Sequence, residues 1–199
     1  MAKEVKRCTV VSGAPVNDCE FLKENINTDS FIIAADSGYK RLVEAGLRID
    51  CIIADFDSSK KPELDCEIIE FSCEKEFTDT FNAVRLAVER GYNDITVFFA
   101  LGGRFDHSYS NLLCLAYCNE NGVKCTLFDR NNRVSLINSY HKFKRITSHF
   151  RFSRLWENAG EYQLRAHIIP RGGIIRISSI LKSAPSLLKV ILLPTNTAK

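Results

Sequence analysis

Ile95-Thr96-Val97-Phe98-Phe99-Ala100-Leu101-Gly102-Gly103-Arg104-Phe105-Asp106-His107-Ser108-Tyr109-Ser110-Asn111 is the stretch on which the fold of this chain turns. Its first third is apolar and β-branched, as in a buried strand, and helical spacing of apolar residues begins near Ser108. Between them stand two glycines, then an arginine, an aspartate and a histidine within five residues. Glycine lets the backbone turn sharply and expose its N–H groups. Arginine presents a planar fork suited to phosphate, and aspartate can hold a hard cation or a proton. Taken alone, such a stretch is more commonly a Gly-Gly turn with an ordinary surface salt bridge. Acidic motifs at other strand ends shift the balance.

Working outward, Val5 to Ser12 predicts a first strand, ended by the turn Ser12-Gly13-Ala14-Pro15. Phe31 to Ala35 predicts a second, closed by Asp36-Ser37-Gly38, with a short helix from Tyr39 to Ala45 that stops at Gly46. Cys51 to Ala54 is a third strand, closed by Asp55-Phe56-Asp57-Ser58, and the alternating Glu67 to Phe71 is a fourth, nearer an edge. From Thr78 to Arg90 the period becomes helical. Phe81, Val84, Ala87 and Val88 form its stripe, Thr78 or Asp79 caps it, and Gly91 ends it. A second helix takes Tyr109, Leu112, Leu113 and Ala116 inward, stops at Asn121-Gly122, and leads into a strand from Lys124 to Phe128. Short apolar strands alternating with helices predict an α/β fold: a mainly parallel, Rossmann-like sheet with helices on both faces. Such sheets bind ligands beyond the carboxyl ends of their strands. Asp36, Asp55, Asp57 and the Gly102–Asp106 group would gather on that edge, and Asp79, at a helix start entered from the same side, would join them.

The formal charge of +3 conceals a break. Residues 1–140 carry 16 Lys/Arg and 22 Asp/Glu, a net of −6, while residues 141–199 carry 11 and 2, a net of +9. The expected domains are therefore 1–140, an α/β unit, and 141–199, a basic and β-rich segment. In the latter, 149–156, 161–169, 173–180 and 186–193 have strand character. No Cys-x-x-Cys pair occurs among the eight cysteines, and Cys114 and Cys118, four apart on a predicted helix, lack partners in metal-ligand register. Reduced, partly buried thiols are expected. The charged amino terminus and the lack of a long apolar run predict a cytoplasmic protein with no membrane contact. Basic residues such as Lys142, Lys144 and Arg145 alternate with apolar ones in the manner of a solvated strand face, so nucleic acid is ranked last among partners.

Two carboxylates one residue apart, Asp55 and Asp57, are costly to crowd without a counter-charge, and at a cleft edge they invite Mg²⁺. Magnesium takes one or two protein carboxylates and completes its shell with water and substrate phosphates. Phosphoryl or pyrophosphoryl transfer from a nucleotide fits this edge, because there the protein mainly positions phosphates and neutralises charge. Neither a G-x-x-x-x-G-K-[ST] loop nor a G-x-G-x-x-G fingerprint is present. Other Mg²⁺-dependent phosphotransferases or phosphohydrolases, and a nucleotide-binding remnant with an altered tail, are the alternatives.

Asp36-Ser37-Gly38, Asp55-Phe56-Asp57-Ser58, Thr78-Asp79 followed by Ala83, and Gly102-Gly103-Arg104-Phe105-Asp106-His107 with Asn111 resemble the thiamine pyrophosphokinase (thiamine diphosphokinase) family through roughly residues 8–140. The resemblance implies an ATP-dependent diphosphokinase that uses Mg²⁺ and converts thiamine to thiamine diphosphate with release of AMP. It also implies a homodimer, with thiamine bound between subunits and a small β-sandwich domain after the nucleotide domain. By the same resemblance Asp55, Asp57 and Asp79 are metal and phosphate-site carboxylates. Asp57, Asp79, Arg104 and Asp106 are the catalytic set, with Asp106 also placed to act on the thiamine hydroxyl proton. Asp36, Gly38, Ser58, Thr78, Gly102, Gly103 and His107 are the nucleotide-binding surroundings. The sequence departs from the family at Ala54, where glycine is usual. It departs again in 141–199, where the Ser-Asn segment of the family's second domain is not found.

Overall fold

The computed structural model describes residues 4–15, 18–56, 61–70, 77–102 and 105–137, with further strands at 142–143, 151–154, 175–176 and 189–193. The chain divides into two compact units, Met1–Arg130 and Asn131–Lys199. In the first, the apolar runs form β1 (Arg7–Val11), β2 (Phe31–Ala35), β3 (Cys51–Ala54), β4 (Glu67–Glu70), β5 (Asp94–Phe98) and β6 (Lys124–Phe128). They pair in the order β4-β3-β2-β1-β5-β6, every pair parallel. Cys8 of β1 lies between Phe31 and Ile95, and the expected edge strand β4 is indeed at the edge.

The helices are α1 (Cys19–Asn25), α2 (Gly38–Glu44), α3 (Asp79–Glu89) and α4 (Phe105–Glu120). Crossovers between parallel strands are right-handed. Steps from β1 to β2 to β3 run one way along the sheet, so α1 and α2 share a face and touch. The step from β4 back past β1 to β5 reverses direction and sends α3 to the other face, where it packs on α4. Strand alternation divides the core accordingly. Val11, Ile32, Ala34, Ile52, Ala54 and Phe98 join Phe21 and Leu22 of α1 and Leu42 of α2 in one cluster. Their neighbours Val10, Ile33, Ile53 and Val97, wholly buried, face α3 and α4. Each such large side chain contributes about 1.5–3 kcal/mol on burial. The reversal makes the gap between β1 and β5 the topological switch point, where open α/β sheets bind their ligands.

Three details differ from expectation. β1 begins at Arg7, not Val5. Helix α1 was not foreseen: its seven residues carry little periodicity, and its signal is the Asp18 cap, whose Oδ1 accepts the Phe21 N–H at 3.1 Å. Helix α4 starts at Phe105, not Ser108, and is turned relative to the predicted stripe. Asn111, Cys114, Leu115 and Cys118 are buried, whereas Tyr109 and Leu113 are exposed. Small thiols and an amide sit closer to the sheet than the bulkier residues that apolar spacing favoured, and Cys114 and Cys118 do share a face.

In the second unit, β7 (Arg133–Ile137) and β9 (Arg151–Arg154) each pair antiparallel with β11 (Lys189–Leu193). β8 (Lys142–Phe143) pairs antiparallel with β10 (Ile175–Arg176). The expected strand at 161–169 lies outside the described residues.

Candidate active site

At the end of β1 the Ser12 N–H donates to the Phe98 carbonyl at 3.0 Å, and the chain then turns through Gly13 and Ala14 to Pro15. Helix α2 holds this loop from beneath. Ser37 Oγ donates to the Gly13 carbonyl at 3.2 Å, Arg41 Nη1 to the Ser12 carbonyl at 2.9 Å, and Arg41 Nη2 to the Ala14 carbonyl. The Arg41 guanidinium also lies 5.7 Å above the Phe99 ring. Burial draws its pKa below the usual arginine value, opposed by Cys19, Asp36 and Glu44. Glycine shapes the site at two positions. A Cβ on Gly38 would fall 2.1 Å from the Val11 carbonyl oxygen, so only glycine lets α2 begin against the end of β1. A Cβ on Gly13 would fall 2.4 Å from Asp36 Oδ2.

Left-handed backbone gathers on the same edge. Asp36, Phe56 and Phe99, just past β2, β3 and β5, have φ of 51°, 54° and 56°. For bulky residues this conformation costs on the order of 1–3 kcal/mol each and persists only where surroundings enforce it. The enforcement is visible: the Asp36 N–H donates to the Ile53 carbonyl at 2.8 Å and that of Phe99 to the Phe128 carbonyl at 3.1 Å.

Helix α3 enters from the opposite side. Thr78 caps it, Oγ1 accepting the Phe81 N–H at 3.2 Å, and the Thr80 hydroxyl meets that of Ser12 at 2.9 Å in a buried contact. Asp79 opens the helix with its carboxylate in the first turn, where the macrodipole favours negative charge. After β5, the Asn111 amide donates to the Ala100 carbonyl at 2.8 Å and Ser108 Oγ accepts the Gly102 N–H at 3.2 Å, tying the turn to α4.

These segments enclose a cavity of about 330 Å³. Ser12 to Pro15, Asp36 and Asp55 line it from the strand ends, Phe77 to Thr80 from α3, and Gly102, His107 and Asn111 from the last turn and helix. Of the residues singled out by sequence, Asp36, Asp55, Thr78, Asp79, Gly102 and His107 are brought together. Gly38 is buried beneath the loop and Asp106 is exposed on the first turn of α4, where its Oδ1 accepts the His107 N–H at 2.9 Å; neither lines the cavity. Asp57, Ser58, Gly103 and Arg104 lie outside the described residues. Among the described residues no three His, Cys, Asp or Glu side chains converge as a metal cage. Sequence reasoning missed the Ser12–Pro15 loop, Arg41, Phe77 and Thr80. The loop's signal was its position after the strand at the switch point, not its composition.

Fold and site together define an α/β protein with an acidic ligand cavity at the switch point of a parallel sheet. The family model for the thiamin pyrophosphokinase catalytic domain matches residues 22–127, and the chain belongs to that family. The thiamine pyrophosphokinase of Bacillus subtilis (strain 168) is 28% identical over 140 residues, 66% of this chain and 64% of that protein. The matched region thus spans just under two thirds of that curated relative's length. The crystal structure of Bacillus subtilis thiamine pyrophosphokinase superposes with a TM-score of 0.75 at 20% identity, over 96% of this chain and 100% of that one. The Candida albicans thiamin pyrophosphokinase gives 0.59 at 17% identity, over 96% and 87%. At these identities the superpositions speak to the fold alone. No helix among the described residues is long and apolar enough to cross a membrane.

Proposed function

We propose that this chain transfers a pyrophosphoryl group from ATP to the hydroxyl of thiamine, giving thiamine diphosphate and AMP. The observation that carries this is the meeting of Asp36, Asp55, Thr78, Asp79, Gly102 and His107 in one cavity, in a chain of the thiamin pyrophosphokinase catalytic-domain family. The thiamine hydroxyl oxygen attacks the β-phosphorus, the bond from that phosphorus to the α,β-bridging oxygen breaks, AMP leaves, and the hydroxyl proton passes to a base. Such transfer requires positioning and charge neutralisation more than covalent help.

The donor set fits Mg²⁺. Asp55 and Asp79 reach one cavity, and magnesium needs only one or two carboxylates when substrate phosphates complete its shell. With Asp57, these are the residues that would hold it, and it would supply Lewis-acid charge neutralisation at the phosphates. The remaining roles belong to the chain. Gly13 and Gly102 keep the cavity walls free of side chains, Asp36 and His107 bound the nucleotide, and Thr78 fixes the first turn of α3 so that Asp79 points inward. Arg104, two residues before Asp106, is the guanidinium for the transferring group. Asp106, exposed on the first turn of α4 next to the cavity-lining His107, is the carboxylate assigned to the hydroxyl proton. A homodimer and a cytoplasmic location complete the proposal. Family membership supports the first, and light scattering tests it. Cell fractionation tests the second.

Incubation of the purified chain with ATP, Mg²⁺ and thiamine is expected to release AMP and thiamine diphosphate in equal amounts. ADP or phosphate as product would assign another phosphotransfer reaction, and nucleotide binding without turnover would assign a binding remnant.

A further inference from the structure

Asn111 is 4% exposed on the inner face of α4 and lines the cavity. Its Nδ2 donates to the Ala100 carbonyl at 2.8 Å. That bond settles which way the amide faces, because a carbonyl oxygen in that place would meet another acceptor. Oδ1 is then left as the sole buried side-chain N or O atom without a hydrogen-bond partner among the described residues. Buried polar atoms are almost always paired, and an unpaired acceptor keeps the full penalty of losing its water. A phosphate oxygen cannot relieve it, since acceptor would face acceptor. What relieves it is an N–H or an O–H.

We propose that Asn111 Oδ1 is an acceptor reserved for a hydrogen-bond donor brought into the cavity by the bound substrate, so that Asn111 reads the donor-bearing part of the ligand while the acidic residues deal with its phosphates. Two sources carry the required hydrogen: a hydroxyl or amino group of the organic substrate, or a water held on the nucleotide's cation. This deepens, and rests on, the pyrophosphoryl-transfer function proposed above. Ser12 and Thr80, whose hydroxyls meet at 2.9 Å, already satisfy each other on the same cavity lining. Asn111 is different: it lines the same cavity, and its buried Oδ1 has no partner among the described residues.

Thermal midpoints of the full chain and of Asn111→Leu separate the cases. Four conditions are compared with no ligand: tripolyphosphate with Mg²⁺, a non-hydrolysable ATP analogue with Mg²⁺, the analogue with EDTA, and thiamine. Leucine removes the orphaned acceptor and also the donor to the Ala100 carbonyl, so the unliganded midpoint is expected to fall, and the comparison rests on the ligand-induced shift within each variant. The ligand-induced shift should fall, corresponding to roughly tenfold weaker binding, the scale of one buried hydrogen bond. Loss confined to the Mg²⁺ conditions identifies a cation-bound water. Loss with metal-free analogue or with thiamine, and not with tripolyphosphate, identifies an organic donor. Shifts that match wild type everywhere, or that shrink equally in all metal-containing and metal-free conditions, overturn the inference. If leucine prevents folding, Asn111→Ser carries the same comparison; unfolding of both variants would make Asn111 a purely structural residue and overturn it too. No response of the wild type to any ligand would overturn the proposed function itself, and the inference with it.

Discussion

Gly13 and Gly38 give a paired test of how the site is built. A Cβ at Gly38 would lie 2.1 Å from the carbonyl oxygen and 2.9 Å from the carbonyl carbon of Val11. Both atoms belong to the backbone at the end of a central strand, so the first turn of α2 must retreat by about an ångström to restore van der Waals contact. Overpacking of this sort costs about 1–3 kcal/mol, against which alanine's helix preference over glycine returns up to about 1 kcal/mol. At about 2–4 °C per kcal/mol for a chain of this size, Gly38→Ala should lower the melting midpoint by several degrees. A Cβ at Gly13 would lie 2.4 Å from Asp36 Oδ2, 3.0 Å from its Cγ and 3.0 Å from Ser37 Oγ. Those atoms end rotatable side chains. Asp36 can swing away at a cost of about 0.5–1.5 kcal/mol for a displaced rotamer. Gly13→Ala should therefore melt within a few degrees of wild type while displacing a carboxylate from the cavity wall, with nucleotide binding weakened about tenfold or more. Circular-dichroism melts and calorimetric titration of a non-hydrolysable ATP analogue measure the two effects separately. Equal midpoints for Gly38→Ala and wild type, or unimpaired binding by Gly13→Ala, would refute the reasoning.

Asp79→Asn and Asp55→Asn should each reduce turnover by roughly two orders of magnitude or more, with near-native melts; full activity in either would remove it from the proposed metal set. Arg41→Met should free the Ser12–Pro15 loop, seen as faster amide exchange there and a raised KM for ATP with a smaller change in kcat, whereas unchanged exchange would show that Ser37 alone holds the loop. Asp18 caps α1 and pairs with Arg130, whose hydrogen bonds hold its carboxyl below the usual 3.8. Because the native value is the lower one, this pair stabilises the fold fully above the ordinary carboxylate range and loses its contribution as pH falls through the lowered value. Asp18→Asn should accordingly narrow the stability gap to wild type in acid and widen it at neutral pH, measured by urea melts at both. Burial drives the thiols of Cys8 and Cys114 far up and that of Cys51 to about 12, and in Cys125 a hydrogen bond with Cys118 and burial do the same. Iodoacetamide at pH 8 should leave these four unmodified until urea unfolds the chain, read by peptide mass spectrometry.

Strands were legible because parallel sheets buried on both faces need continuous apolar runs, and Phe31–Ala35 and Cys51–Ala54 have nothing else to be. Asp36 and Asp55 were legible by position, each following such a run, and Asp79 by the helix start it opens. Helix α1 was illegible because its seven residues are held by tertiary contacts. Phe21 packs among Phe98, Phe99 and Phe128 with ring centroids 6.2, 6.4 and 5.0 Å away, and no local pattern announces that cluster. The face of α4 was misjudged for a related reason. Spacing alone could not weigh Asn111 and two thiols against Tyr109 and Leu113, and the sheet side took the smaller set. Arg41 was invisible as a site residue because what it holds is backbone oxygen thirty or so residues away, a relation with no sequence signature.

The architecture explains why strain and charge share one edge. Reversal of the winding at β1 and β5 leaves their carboxyl ends uncovered by a crossover helix, and there the chain needs abrupt turns rather than extended exits. Left-handed Asp36, Phe56 and Phe99 supply those turns at an energetic cost that a glycine in each place would largely avoid. With bulky residues in two of the three, the strain is offset by packing: Phe99 is wholly buried under Arg41, and its ring is part of the core that fixes the turn. The aromatic core therefore extends to the cavity lip, and Arg41 ties the Ser12 and Ala14 carbonyls to it. Three carboxylates line this cavity, and their mutual repulsion favours a cationic or proton-donating occupant. Preorganisation of this kind is what phosphoryl-group transfer demands, because its barrier falls chiefly through charges and dipoles placed before the substrate arrives.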